Sequence, residues 1–190
     1  MSPEETAGRV RPLAEVPALA ERAAGMLSRP KMMVHLTLAE AALVASRMGL
    51  VHFGVGTSLI REGAESASGH MLLLLEGEVS VDSQAAGEGD PLALSVLGPG
   101  DIIGEMALLD GSPRAASCTA LTAVQAAGLS RRGLAQLMAE EPVVAAKLVV
   151  VLATHIADRL RAMAQHMQMY AQLAADRGDE LKRLRKAREH

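Results

Sequence analysis

The 190-residue chain has no tryptophan, one phenylalanine (Phe53) and one tyrosine (Tyr170). Binding of single-stranded nucleic acid by stacking bases on successive rings is thereby excluded. With one cysteine, Cys118, the chain can form neither an intrachain disulfide nor a thiolate-rich zinc site. A reducing, cytoplasmic location is the expectation that follows. Long hydrophobic runs are also missing. The longest, Met71–Leu75 and Val143–Leu152, fall short of the ~18 residues a spanning helix needs, and Lys147 interrupts the second. Met1–Arg11 carries Glu4 and Glu5 where a secretion signal needs basic residues and an apolar run. Neither sign of charge is in excess: 19 Lys and Arg against 22 Asp and Glu give −3. That balance argues against nucleic acid or an anionic membrane as the main partner.

What is present is globular composition, 49% hydrophobic and 22% charged, with apolar bulk from Leu, Val, Ala and 11 Met. Residues 1–33, with prolines at 3, 12, 17 and 30, read as an arm or adapter holding a short helix over Leu19–Leu27. Thr37 with Glu40 three residues on is a capping box, so a helix starts there; Gly49 is expected to close it. From Val51 to Leu129, short apolar runs alternate with glycines. Strands are expected over Val51–Phe53, Ser58–Ile60, Met71–Glu76, Glu78–Asp82, Ala93–Leu97, Ala116–Ala120 and Val124–Leu129, with a hairpin tip at Glu88–Pro91. Ser130 caps a helix over Leu134–Ala139, Pro142 breaks it, and one long helix runs from about Val143. The predicted fold is α+β: an antiparallel β-roll or jelly-roll barrel flanked by an N-terminal helix and a long C-terminal helix. Along that helix Ala153, Ile156, Leu160, Met163, Met167, Tyr170, Ala174, Leu181 and Leu184 fall on a heptad seam, which predicts a coiled-coil homodimer.

The segment richest in chemistry is Pro99–Ser117. A strand ends at Gly104 and a helical turn begins at Glu105, so the amides of Met106, Ala107 and Leu108 are expected to lack helical partners and to suit an anion. Small residues at Ala107, Ala115 and Ala116 let a ligand approach the backbone. Arg114 offers a planar fork for two phosphate oxygens, and the acceptor-only carboxylate of Glu105 needs a donor such as a ribose hydroxyl. One cation and one carboxylate in this setting describe a nucleotide-sized pocket.

The run Gly104-Glu105-Met106-Ala107-Leu108-Leu109, a short link, then Pro113-Arg114-Ala115-Ala116 closely resembles the phosphate-binding cassette of cyclic nucleotide-binding domains. The resemblance extends to Phe53-x-x-Gly56-x-x-Leu59-Ile60-x-x-Gly63, to Leu73–Val81, to the helix around Leu36–Met48 and to the helices after Ser130, covering roughly residues 34–165. The spacing from Glu105 to Arg114 is similar to that in kinase regulatory subunits. The resemblance implies a cyclic nucleotide-binding domain over 34–142, followed by a long helix with a charged tail over 143–190. It implies no cofactor and no catalytic activity, and a 3′,5′-cyclic nucleotide as ligand. Arg114 would pair with the cyclic phosphate and Glu105 would accept from the ribose 2′-hydroxyl. The amides of Ala107 and Ala115 would meet phosphate oxygens, and Gly104 would permit close approach. A Thr or Ser after the arginine often favours cGMP in the family; Ala115 stands there, which leans towards cAMP, with cGMP the alternative.

Two departures matter. Family transcription factors continue into a winged helix-turn-helix, whereas only about twenty-five residues, rich in charge, follow Gln165 here. The aromatic lid over the base is also missing, which leaves Arg159 and Met163 as candidate lid residues. The six histidines have no metal-ligand spacing, no G-x-S-x-G elbow accompanies the Ser, His and Asp residues, and Cys118 reads as core. Two rivals to a cyclic-nucleotide sensor with an unknown protein effector stand beside it: a ligand-free scaffold, and a DNA-binding regulator lacking a standard wing that uses the basic end.

Overall fold

The computed structural model describes residues 10–28, 34–65, 69–83 and 92–188, so the expected hairpin tip at Glu88–Pro91 lies outside the described residues. The chain divides into two compact units, Met1–Val151 and Leu152–His190.

In the first unit a two-residue strand, β1 (Arg11–Pro12), leads through a 3-10 turn into helix α1 (Pro17–Leu27), then α2 (Leu38–Ser46). The capping box forms: the Glu40 amide donates to Thr37 Oγ1 and the Thr37 amide donates to Glu40 Oε2. Strands β2 (Gly49–Phe53), β3 (Ser58–Ile60), β4 (His70–Glu76), β5 (Val79–Ser83), β6 (Leu92–Leu97) and β7 (Ile102–Ile103) follow. A short helix, α3 (Glu105–Asp110), precedes β8 (Ser117–Ala120) and β9 (Val124–Ser130). Helix α4 (Arg131–Glu140), capped by the Ser130 hydroxyl on the Gly133 amide, leads into α5 (Pro142–Arg188).

All pairings are antiparallel, in two sheets ordered β1-β2-β9-β4-β7 and β3-β8-β5-β6. The α+β expectation of antiparallel sheets with a helix at the C-terminus holds. Ile60, Leu72, Leu74, Val79, Val81, Ile103, Cys118, Ala120, Val124 and Ala126 form the core of the roll. Strand β4 is an unbroken apolar run because the alternate residues Met71, Leu73 and Leu75 are buried as well. Helix α1 covers part of β4 and packs on α2. Each such leucine contributes roughly 1.5–3 kcal/mol of burial.

Two expectations need correction. Residues 11–28 do not stand apart as an arm: β1 pairs with β2, and Leu13, Ala23, Ala24 and Leu27 are buried. Gly49 does not close α2, which ends at Ser46 with Arg47 as its cap; Gly49 opens β2 opposite Pro12. A Cβ there would lie 2.5 Å from Val10 Cγ1, so the glycine serves the close approach of the incoming chain.

The second unit is the remainder of α5. Within it Leu160, Met163, Met167 and Tyr170 are exposed.

Candidate functional site

The site is assembled by the link from β7 through α3 to β8. Gly104 caps α3 in the left-handed region, at φ 75°. A Cβ at this position would come within 2.5 Å of Arg114 Nη1 and 2.9 Å of the His70 carbonyl oxygen. Glycine is therefore required twice, by conformation and by space.

Arg114 is 5% exposed and Glu105 2% exposed, and they are the buried charged residues among those described. Arg114 Nη1 donates to the His70 carbonyl at 2.8 Å and to the Gly104 carbonyl at 3.0 Å, which fixes one edge of the guanidinium against β4 and the start of α3. Its backbone is held too: the Arg114 amide donates to the Ala64 carbonyl, and the Gly63 amide donates to the Arg114 carbonyl. The Ser117 hydroxyl accepts from the Glu62 amide next door.

Burial pulls Arg114 below its ordinary range. Cys118 and Glu105 oppose that shift, and the Arg131 guanidinium adds to it. A guanidinium remains charged under such a shift, so the cation is retained in a setting of low polarity where its attraction for an anion is strong. Burial, with the Arg114 charge nearby, lowers His70 below its ordinary value and favours the neutral imidazole. The Ser112 amide, bonded to Asp110 at 2.9 Å, holds that carboxylate below its usual range at the end of α3.

Of the predicted site residues, Gly104, Glu105, Met106, Ala107, Arg114, Ala115 and Ala116 lie on this one link. Ala107 is buried, Met106 and Ala115 are exposed, and Ala116 is half-buried. The Leu108 amide is not available to an anion as expected, because it donates to the Gly104 carbonyl at 3.3 Å. The amides of Met106 and Ala107 sit in the first turn, where a helix supplies no carbonyl of its own. Arg159 and Met163 belong to the other unit, Leu152–His190.

Sequence reading missed two contributors. His70 acts through its main-chain oxygen, which no side-chain pattern announces. Arg131, the first residue of α4, donates from Nη2 to the Ala107 carbonyl at 2.7 Å, across 24 residues of chain. Among the described residues no group of three or more His, Cys, Asp or Glu side chains could hold a metal, and no helix is long and apolar enough to cross a membrane.

Comparison with known proteins identifies the family. Residues 50–141 match the family described as the cyclic nucleotide-binding domain. A crystal structure of a cyclic nucleotide-binding domain from Methylobacillus flagellatus KT superposes with a TM-score of 0.73 at 30% identity, covering 78% of this chain and 82% of that one. The chain belongs to the cyclic nucleotide-binding domain family. Within the family it is 28% identical over 115 residues to a CRP-like cAMP-activated global transcriptional regulator of Mycobacterium tuberculosis, covering 60% of this chain and 50% of that protein. It is 36% identical over 105 residues to a cAMP-dependent protein kinase regulatory subunit of Aspergillus fumigatus, covering 52% of this chain and 22% of that one. The chain thus spans half the length of the first relative and less than a quarter of the second. Regulatory proteins, not enzymes, are what it resembles.

Proposed function

We propose that this chain senses cAMP, and that binding is relayed through its C-terminal helix to a protein effector. The observation that carries the reading is the pair of buried charges, Arg114 and Glu105, on one link whose backbone is opened by Gly104. In this reading the cyclic phosphate pairs with Arg114 and meets the amides of Ala107 and Ala115, with Met106 and Ala116 lining the approach. Glu105 accepts from the ribose 2′-hydroxyl. The cAMP-activated and cAMP-dependent relatives, together with Ala115 after the arginine, favour cAMP over cGMP.

The phosphate brings its own charge to a cation that burial has stripped of water, so binding is favourable where a lysine on the surface would gain little. A relay follows only if cAMP binds one arrangement of the C-terminal helix more tightly than another. The exposed apolar seam on α5 favours a homodimer as the body that reads out this change. The chain has no catalytic step of its own in this account, which places it in the cytoplasm.

Thermal melts test the reading. Millimolar cAMP should raise the midpoint of purified, nucleotide-stripped protein, and denaturing an unstripped preparation should release cAMP identifiable by mass. A midpoint moved by neither cAMP nor cGMP would instead leave the chain a ligand-free scaffold.

A further inference from the structure

Arg131 occupies a compartment built for a guanidinium. Its Nη2 donates to the Ala107 carbonyl at 2.7 Å, in the middle of α3, while its own amide donates to the Gly69 carbonyl at 2.8 Å. Two glycines make the space. A Cβ at Gly69 would stand 2.7 Å from Nη2 and 2.9 Å from Cζ, and one at Gly111 would stand 3.3 Å from Nη2. Both glycines have positive φ, 29° and 76°. The head group therefore lies between the chain entering β4 and the end of α3, while its Cα is the first residue of α4.

This side chain makes a direct polar connection between α3 and the first turn of α4. Arg131 also raises the local positive potential at Arg114, lowering the ease with which that guanidinium keeps its proton. An anion bound at Arg114 acts on both cations, and any rotation of α3 that brings the Ala107 amide onto that anion alters the Ala107 carbonyl that Arg131 holds.

We propose that Arg131 is a positioning residue that couples occupation of the Arg114 site to the placement of α4. The proposal rests on the cyclic-nucleotide reading of that site. A planar fork reaching a main-chain carbonyl transmits displacement in a fixed direction, which a flexible ammonium does not. Coupling then means that α4 has a different stability with and without ligand.

The experiment measures cAMP binding by calorimetry and amide exchange in α4 with and without cAMP, for the full chain, Arg131→Met and Arg131→Lys. In the unmodified chain, saturating cAMP should change exchange across residues 131–140 by about tenfold or more. Arg131→Met should still bind cAMP, weakened by about tenfold or less, and should lose that change; Arg131→Lys should recover only part of it. Gly69→Ala, which presses on the guanidinium from the other side, should behave like Arg131→Met. A merely structural Arg131 would lower the melting midpoint while leaving the ligand-dependent change intact, and that result overturns the assignment. If Arg131→Met fails to fold, full ligand-dependent change in Arg131→Lys and Gly69→Ala overturns it equally. Absence of cAMP binding in the unmodified chain would sink the cyclic-nucleotide reading itself, a failure visible before any variant is compared.

Discussion

Arg114 Nη1 lies 2.8 Å from the His70 carbonyl oxygen, so the cation of the site is fastened to the first residue of β4, a strand buried from Met71 to Leu75. The fastening fixes the plane of the guanidinium. Arg114→Ala should weaken cAMP binding by roughly 2–4 kcal/mol, about 30- to 1,000-fold in Kd, because a buried phosphate would lose its paired charge. Arg114→Lys should fall between, since an ammonium cannot hold two carbonyls and a phosphate in one plane. Calorimetric titration of the three proteins reads the order; equal affinities would remove Arg114 from the site.

Gly104→Ala should damage both folding and binding. The left-handed backbone alone costs about 1–2 kcal/mol for a residue with a Cβ, and that Cβ would displace Arg114 Nη1 from 2.5 Å away. Urea unfolding gives the stability loss, and titration of the folded fraction gives the affinity loss. Loss of stability with unchanged affinity would mean that Gly104 shapes the backbone without governing Arg114.

Much of this site was legible because its chemistry is local. Glu105 and Arg114 stand on one short link, and the capping residues Thr37 and Ser130 sit beside the helices they start. Strands β2 to β6, β8 and β9 were legible from apolar runs between glycines, with ends displaced by a residue or two. Gly49 misled because a glycine after an apolar helix has two uses, as a helix stop and as room for a neighbour, and Val10 decides which. Strand β1 has only two residues and no period of its own. Arg131 could not be read at all: its partner lies 24 residues away, and the two glycines that admit it, Gly69 and Gly111, lie on two separate segments.

Acid should separate Lys147→Met from the unmodified chain in a defined window. Lys147 Nζ lies 2.6 Å from Glu40 Oε1, and this bond, with those to Thr37, holds Glu40 at about 2 against an ordinary 4.5. A carboxylate depressed in the folded state stabilises it fully above its ordinary value, and the gain disappears as pH falls towards the depressed one. The melting midpoints of the two proteins should therefore differ at pH 7 and converge between about pH 4.5 and pH 2. A gap that stays constant through that window would show that Lys147 acts by packing and not through Glu40.

The seam on α5 makes a separate claim. Met163→Glu places a charge among exposed apolar residues at heptad spacing, so sedimentation should show a dimer for the unmodified chain and a lighter species for the variant. Identical masses would mean that association, if any, uses another surface.

The most direct test is a calorimetric titration of the nucleotide-stripped full chain with cAMP, repeated with cGMP. A buried guanidinium on the same link as the start of α3 predicts saturable heat with one cAMP per chain and weaker binding of cGMP. Flat traces with both nucleotides, from protein that melts cooperatively, would contradict it.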